Sequence, residues 1–458
     1  MNTIIASADF TKKAGRLNPA LHSSGWAPRS ATRIIQNDDE AVRAMNLRYA
    51  RTHDWALVNA GQRVVDYQYI FPLFGKDASD PSNYYFDATD HLLGLARNAG
   101  LKIFYRLGTS IEHTDGVHFN ALMPPDLDKT AEIFAGIVRH YNKGWANGRK
   151  WGIKYWEIWN EPDGGGMWYL PNDDCSTEAW FRKTALFHKL FVTCLKRLKG
   201  EFPDIKVGGP ALCCMNPDYF RPLLQACKDA DVAPDFISWH GYASDPKELL
   251  APAGQARALC ESFGFTKCEL ILNEWHYILS WDGIHGKNST PAMVKRALDG
   301  PTGHNNIDSA AFTLACLAQF QTSKLDQAYY YGCSHQGNWG YMDQYKQFNK
   351  NWYACVLFGG IIRDYEAICP SASLDDTVTT LAVRSRDGKR KGLLVVDYRG
   401  TKQVLSVEVK GADDARDVSA MVLDHTRDNF PCEVRWRNGT LTLLKPDKNS
   451  AAFFVEFE

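Results

Sequence analysis

The chain has 458 residues, of which 45% are hydrophobic and 23% are charged, a composition typical of a globular protein with a sizeable core. Its 52 basic and 53 acidic residues leave a formal net charge of −1, which argues against a nucleic-acid partner or an anionic membrane surface. No run of about 18 apolar residues occurs, so no membrane span is predicted.

The cysteine pattern bears on the compartment. The 12 cysteines are scattered and form no Cys-x-x-Cys pair, and five lie in helix-like stretches as small hydrophobes would: Cys194, Cys227, Cys260, Cys316 and Cys355. We predict that most cysteines are free thiols, which favours a reducing compartment. Residues 1–17 are polar and lack the apolar core of a signal peptide. We therefore expect a cytoplasmic protein.

Short apolar runs alternate with helix-like segments between about residues 20 and 363. A first strand is predicted around residues 21–26. Seven further runs are rich in β-branched and aromatic residues, as buried parallel strands are: residues 46–51, 101–107, 153–159, 205–209, 235–240, 268–272 and 327–331. Eight strand–helix alternations predict an α/β fold in which residues 20–363 close into a (β/α)8 TIM barrel. An open doubly wound sheet is the alternative.

The pattern changes after about residue 364. Short strand-like runs follow one another, with turns such as Asp387-Gly388 and Asn438-Gly439 between them. This predicts a small antiparallel, β-sandwich-like domain over residues 364–458. We expect residues 1–19 to form a separate N-terminal segment that packs with this domain.

The first chemical motif ends the fourth predicted strand, where residues 155–162 read Tyr-Trp-Glu-Ile-Trp-Asn-Glu-Pro. Glu157 is mid-strand and is expected to point into the barrel interior. Glu161 follows at the rim, and the strand C-termini form the active-site face of a TIM barrel. We expect Trp156 and Trp159 to supply low-polarity walls around this carboxylate.

The second motif ends the seventh strand, where residues 270–275 read Leu-Ile-Leu-Asn-Glu-Trp. In a closed barrel the rims of strands four and seven face each other, which would bring Glu274 opposite Glu161. Two carboxylates so placed suit glycosidic chemistry: one protonates the leaving oxygen and the other attacks the anomeric carbon, at a separation of about 5–5.5 Å for retention. A single glutamate at a strand end more often forms a salt bridge or a cap.

Four motifs resemble glycoside hydrolase family 39, a family of retaining barrel glycosidases that includes β-xylosidases and α-L-iduronidases. They are Arg51-Thr52-His53 on strand two, Trp159-Asn160-Glu161-Pro162 on strand four, Trp239-His240-Gly241-Tyr242 on strand six and Glu274-Trp275 on strand seven. The chain departs from the family at Asp54, where glycine is common, and in a long insertion over residues 71–84.

The resemblance implies that Glu161 is the acid/base and Glu274 the nucleophile. It also implies that Asn160 hydrogen-bonds the sugar 2-hydroxyl, and that His53 contacts sugar hydroxyls. His240 and Tyr242 would orient Glu274.

Further substrate-binding candidates are rim residues of strands three, seven and eight: Glu112, Trp275 and Trp339. The alternative for a histidine that ends a strand is a structural role, and Trp239 and Trp275 could serve packing alone.

The predicted function is a retaining glycoside hydrolase that acts on carbohydrate and uses no metal or cofactor, since no metal-ligand spacing such as His-Glu-x-x-His occurs. We expect exo attack because long segments after four strands carry bulky residues that would close the cleft: Phe71, Phe74, Tyr84, Tyr85, Phe119, Trp168, Tyr169, Tyr277 and Trp281. The alternatives are an endo-acting glycanase of the same clan and an inactive glycan-binding barrel. The sequence leaves open whether the protein forms a homo-oligomer.

Overall fold

The computed structural model describes residues 3–25, 38–53, 55, 63–110, 122–164, 168, 176–281, 290–298, 300, 302–333, 339–343, 345 and 347–458. Two strands precede the barrel: β1 (Ile4–Asp9) and β2 (Gly15–Arg16). Eight strands then form the barrel: β3 (Ser23–Gly25), β4 (Tyr49–Arg51), β5 (Lys102–Leu107), β6 (Tyr155–Ile158), β7 (Lys206–Leu212), β8 (Phe236–Ala243), β9 (Glu269–Tyr277) and β10 (Gln327–Tyr330).

All eight barrel strands pair in parallel and in chain order, and β10 closes the ring against β3. The prediction of a TIM barrel is therefore confirmed, and the open sheet is wrong. The barrel strands β3 to β10 correspond to predicted strands one to eight.

Helices surround the barrel: α1 (Asp39–Ala44), α2 (Tyr67–Ile70), α3 (Asp87–Asn98), α4 (Leu127–Asn142), α5 (Thr177–Glu201), α6 (Pro217–Asp229), α7 (Pro246–Ser262), α8 (Pro291–Leu298), α9 (Ile307–Phe320) and α10 (Lys350–Asp364). Side-chain caps fix the starts of α6 and α7: Asn216 and Asp245 accept backbone N–H bonds from the first turn. Proline follows each cap directly, at the first helical position, where its missing N–H is not needed. Only short loops therefore separate β7 from α6 and β8 from α7.

The remaining ten strands are β11 (Ala367–Cys369), β12 (Ser371–Ser373), β13 (Val378–Arg384), β14 (Lys391–Asp397), β15 (Val404–Lys410), β16 (Val418–Leu423), β17 (Asp428–Pro431), β18 (Arg435–Arg437), β19 (Thr440–Leu444) and β20 (Ala451–Phe457). They form two mainly antiparallel sheets, in the orders β12-β1-β15-β19-β18 and β17-β16-β20-β14-β13-β11-β2. The N-terminal strand β1 lies inside the first sheet, parallel to β15 and antiparallel to β12.

The barrel interior is built in layers because alternate residues of each strand point inward. Aromatic and aliphatic side chains fill the layer farthest from the mouth: Tyr49, Phe104, Tyr155, Phe236, Ile271 and Tyr329. The next inward positions are polar and buried: Arg51, Glu157, Ser238 and Asn273. The polar layer therefore rests on a packed hydrophobic floor and supports whatever lies at the mouth.

Two features of the described ranges concern cysteines and membranes. The eleven cysteines there are free thiols, as predicted for most of them. Among these ranges no helix has both the length and the apolar character that a membrane crossing requires.

Five buried histidines predict sensitivity to acid. Burial lowers their pKa values, to about 3 for His276 and about 4 for the other four: His22, His188, His240 and His304. Between pH 6.5 and pH 4 these histidines bind protons in the unfolded chain but not in the native protein. The free energy of unfolding should therefore fall as the pH drops through this window, by up to about 1.4 kcal/mol per pH unit for each histidine.

Urea unfolding across this pH range measures the slope. His188→Leu should reduce this slope by the equivalent of about one bound proton. Replacing the exposed His425 with glutamine should leave the slope unchanged. A flat stability profile between pH 6.5 and pH 4 would contradict the prediction.

Candidate active site

The end of β6 turns sharply to place Glu161 at the barrel mouth. Trp159 and Glu161 adopt positive φ angles of 75° and 45°, which are uncommon outside glycine and cost on the order of 1–3 kcal/mol each. Two backbone bonds hold this turn: the Trp159 N–H donates to Leu107 O (2.7 Å), and the Glu161 N–H donates to Ala211 O (2.8 Å). Neighbouring strands on both sides thus fix the backbone that carries the carboxylate.

Gly108 permits the close approach at this turn. A Cβ atom there would lie 2.7 Å from the Trp159 ring, and its φ of 120° is one that side-chain-bearing residues rarely adopt.

A β-bulge in β9 aims Glu274 into the mouth. Trp239 of β8 pairs with Leu272, but the next residue, His240, pairs with Glu274, so Asn273 is an extra residue in β9. A bulge of this kind interrupts strict alternation and re-aims the following side chain. Asn273 therefore contributes to the polar layer, and Glu274 also faces the interior, one level nearer the mouth.

The two carboxylates meet around His240. Its Nδ1 lies 2.7 Å from Glu161 Oε1 and 3.2 Å from Glu274 Oε2, and the facing atoms of all three side chains lie within 4.8 Å of one another. The Glu274 side chain is 5% exposed and that of Glu161 is 22% exposed. One carboxylate is therefore enclosed, and the other reaches towards solvent.

His240 is uncharged at neutral pH. Burial lowers its pKa to about 4, although the charge of Glu274 acts in the opposite direction. No described residue accepts a bond from its buried Nε2, and an orphaned buried N–H is rare in proteins. We therefore assign the ring proton to Nδ1, from which it donates to Glu161.

Arg51 is the centre of the polar layer. Its guanidinium donates from Nε to Glu157 (2.6 Å) and from two further nitrogens to Glu274 (2.9 Å) and to Asn160 Oδ1 (2.7 Å). Burial alone would lower the pKa of Arg51, but the charges of Glu157 and Glu274 outweigh it and raise the pKa above its ordinary value. A permanently charged, planar group thus holds Glu274 in place.

Glu157 is the buried counterion of this network, inside the barrel as expected. Its side chain is fully enclosed and also accepts bonds from Ser238 Oγ (2.6 Å) and Asn273 Nδ2 (2.7 Å). The hydrogen bonds of Glu157 are to Arg51, Ser238 and Asn273, all in the layer below the mouth. Glu157 therefore supports the residues at the mouth and does not itself reach the mouth.

Three predicted site residues lie beside the carboxylate pair. Tyr242 donates its hydroxyl to Glu274 Oε2 (2.7 Å), and His53 Nε2 lies 3.7 Å from Glu274 Oε1. Asn160 is fully buried, and the described residues provide no acceptor for its Nδ2. An amide donor that faces the site without an acceptor is suited to a ligand oxygen.

Aromatic rings cover the Tyr242 side of the mouth. The Trp339 ring lies 5.7 Å from that of Tyr242, and the Trp281 ring lies 5.4 Å from it. Tyr331 contacts both Trp339 and Tyr242. The structure thus brings Trp339 to the site, as the rim position predicted.

Other candidates lie elsewhere. Trp275 is 1% exposed and packs against Phe320 of α9 and Tyr330, because it follows the bulge and faces away from the interior. This is the packing role weighed above as its alternative. Glu112 lies outside the described residues.

The prediction that Trp156 and Trp159 form walls around Glu161 is wrong. Trp156 stacks on Tyr105, and Trp159 packs against Trp168 and Phe187. Alternation from the inward-facing Glu157 turns Trp156 towards the helix layer. The positive φ of Trp159 interrupts this alternation, and its indole packs against Phe187 of α5.

The bulky loop residues that were expected to close the cleft also differ from the prediction. Four of the bulky loop residues are buried in the core instead of lining a cleft: Phe71, Tyr84, Trp168 and Tyr277. Trp281 is 45% exposed and flanks Tyr242 at the mouth. Phe119 and Tyr169 lie outside the described residues.

Within the described part of the chain, one group of side chains has the composition of a metal site, namely Glu161, His240 and Glu274. Its donor atoms already contact one another through His240 Nδ1. A bound cation would have to replace the proton on that nitrogen and break its bond to Glu161.

The sequence model of glycosyl hydrolases family 39 matches residues 15–253, which is over half of the chain and includes Arg51, Glu161 and His240. The chain belongs to this family. A β-xylosidase from Geobacillus stearothermophilus is 24% identical over 214 residues, which cover 42% of this chain and 39% of that relative. The alignment thus spans about two fifths of the relative's length.

Solved structures share the fold of this family 39 chain over its whole length. A glucosidase from Croceicoccus marinus matches with a TM-score of 0.76 at 20% identity, and both chains are covered completely. A thermostable α-L-arabinofuranosidase from Thermotoga petrophila matches with a TM-score of 0.68 at 14% identity, again over 100% of both chains. At these identities the likeness concerns the fold.

Two supporting residues of the family 39 site were missed as site residues by the sequence reasoning. Arg51 was noted only as part of a motif, and Asn273 was not singled out. A signal was present: Arg51 and Glu157 are opposite charges within strands predicted to be buried, and buried charges need partners.

Tyr242→Phe tests how much the tyrosine hydroxyl contributes at this site. A hydrogen bond to a charged group contributes about 1.5–3 kcal/mol, so we expect kcat/KM on an aryl glycoside to fall about 10- to 100-fold. Tyr345→Phe is the control, since Tyr345 is 74% exposed. Equal activity of the two variants would show that the Tyr242 bond does not matter for turnover.

Proposed function

We propose that this chain is a retaining glycoside hydrolase in which Glu274 is the nucleophile and Glu161 the acid/base. The observation that carries the proposal is the approach of the two carboxylates around His240, with facing atoms within 4.8 Å. Retaining glycosidases hold their carboxyl groups about 5–5.5 Å apart, whereas inverting enzymes need about 6.5–9.5 Å to admit a water molecule. The short separation favours double displacement.

In the first step a Glu274 oxygen attacks the anomeric carbon, and Glu161 gives its proton to the leaving oxygen. Arg51 and Tyr242 support the attack because their hydrogen bonds hold the Glu274 carboxylate in position. Oε1 of Glu161 accepts from His240 Nδ1, which orients the carboxyl group that gives the proton. In the second step Glu161 takes a proton from water, which attacks the glycosyl-enzyme and releases Glu274.

Asn160 is proposed to bind the sugar 2-hydroxyl. Arg51 occupies its Oδ1 and so directs its Nδ2 as the donor that remains for substrate. This hydrogen bond strengthens as positive charge develops on the sugar ring. His53 and Trp339 are the other proposed contacts to the sugar.

We propose a β-xyloside as the first substrate to test, because the curated relative is a β-xylosidase. β-Glucosides and α-L-arabinofuranosides follow, from the names of the proteins that share the fold. A screen of aryl glycosides of these three sugars identifies the glycone.

Nuclear magnetic resonance of the first-formed sugar tests the mechanism. We expect the product to have the same anomeric configuration as the substrate. An inverted initial product would rule out double displacement. Binding of glycosides without any hydrolysis would support the alternative of an inactive glycan-binding barrel.

We propose that the enzyme removes terminal sugars. The reason is the aromatic group above Glu274, formed by Tyr242, Trp281 and Trp339, which can enclose a terminal sugar. Digestion of a long oligosaccharide should release one small product steadily from one end. An early spread of mid-length fragments would instead support the endo-acting alternative.

A further inference from the structure

A cavity of about 300 Å³ lies beside His240, between the mouth of the barrel and helix α7. Most of its lining side chains are apolar: Met215, Trp239, Leu249, Pro252, Leu272 and Trp281. The cavity is bordered by the short β7–α6 loop and by the end of β8, where little chain rises above the rim.

The cavity adjoins the carboxylate pair through His240 and Tyr242, and it extends to the loop that is tied to the turn after Glu161. His240 lines it, and the same histidine bonds to Glu161 through Nδ1. The loop that supplies Cys213 and Met215 is tied to the turn after Glu161, because the Cys213 N–H donates to Asp163 Oδ1 (3.0 Å). In the proposed function Glu161 protonates the leaving oxygen, so the leaving group must extend towards Glu161.

The lining has little of what a sugar requires. A sugar in a binding site needs several hydrogen-bonding side chains, but His240 and Tyr242 are engaged with the carboxylate pair. The sulfur atoms of Cys213, Cys214 and Met215 are weak hydrogen-bonding groups that contact apolar and aromatic surfaces well. Glu248 is the one carboxylate among the described lining residues, and its charge disfavours an anionic group.

We infer that this cavity binds an apolar leaving group, so that the natural substrate is a glycoside of an alkyl or aryl alcohol. The inference rests on the proposed function, because it assigns the cavity to the group that departs from the sugar. Met215 is then a residue that determines specificity: it is half-buried at the loop between β7 and α6, where an entering chain would pass.

Methyl and hexyl glycosides of the sugar identified in the screen provide the test. Their leaving alcohols have similar reactivity, so a difference in kcat/KM reports contacts to the alkyl chain. We expect a preference for the hexyl glycoside of at least about 10-fold, from burial of its additional methylene groups. Met215→Gln should reduce the hexyl-to-methyl ratio at least about 3-fold, and Met215→Leu should preserve it.

Leu374→Gln is the control for a general effect of a lost apolar side chain, since Leu374 is 73% exposed in the β domain. It should leave the ratio unchanged. A ratio near one in the unmodified enzyme, or a ratio that Met215→Gln does not alter, would overturn the inference while the proposed function stands. If no glycoside is hydrolysed, the proposed function fails. The inference then fails with it, because it requires a group that departs from the sugar.

Discussion

Glu274→Ala is expected to lower kcat by at least about 10⁴-fold, because no other carboxylate among the described residues is placed to attack the anomeric carbon and form the glycosyl-enzyme. Glu161→Ala should differ in kind. With a dinitrophenyl leaving group, which needs no proton, the first step should proceed and the glycosyl-enzyme should accumulate as a burst. Stopped-flow measurement of dinitrophenolate release distinguishes the two variants.

Added azide tests which glutamate is the nucleophile and which is the acid/base, because it can take the place of either missing carboxylate. In Glu274→Ala it should attack directly and give a glycosyl azide of inverted configuration. In Glu161→Ala it should attack the glycosyl-enzyme and give the retained product. Exchanged configurations would reverse the roles of the two glutamates. Glu178→Ala, at an exposed carboxylate of α5, should behave as the unmodified enzyme.

Arg51→Met should damage both stability and catalysis. It leaves the carboxylate of Glu157 buried without its counterion, which we expect to lower the free energy of unfolding by about 3–5 kcal/mol. It also releases Glu274 and Asn160, so kcat should fall by at least about 100-fold. Chemical denaturation and aryl glycoside turnover measure the two effects.

The double variant Arg51→Met with Glu157→Gln separates the effect on stability from the effect on catalysis. Removing the second buried charge should restore much of the stability, because the introduced amide oxygen could still accept bonds from Ser238 and Asn273. Activity should stay low, since the guanidinium that positions Glu274 and Asn160 is still missing. Recovery of activity in the double variant would contradict the role of Arg51 at Glu274.

The barrel could be predicted because the sequence repeats one local pattern. Most barrel strands are apolar runs, β3 with its Ser-Ser-Gly being an exception, and the strand–helix alternation follows from periodicity that is visible in a short window. The two glutamates were found in the same way: each follows the end of an apolar strand, and all such ends lie on one face of a barrel. Asn160 follows the fourth predicted strand, directly before Glu161, and His240 ends the sixth, so both were predicted on the same face.

Side-chain direction at the mouth required the tertiary structure. Strict alternation from Ile271 would turn Glu274 away from the interior, and the bulge at Asn273 that prevents this depends on the register between β8 and β9. The same register sends Trp275 into the helix layer against Phe320. The positive φ angle of Glu161 likewise depends on bonds from its neighbours β5 and β7.

The chemistry of this chain was thus determined by its sequence, because residue types at strand ends limit what the mouth of the barrel can do. How the groups cooperate was decided only by the tertiary structure. Arg51, Glu157 and Glu274 come from three strands, and the charge of each is tolerable only because the closed ring brings all three together. Such contacts join residues up to 223 positions apart, a distance over which local pattern carries no information.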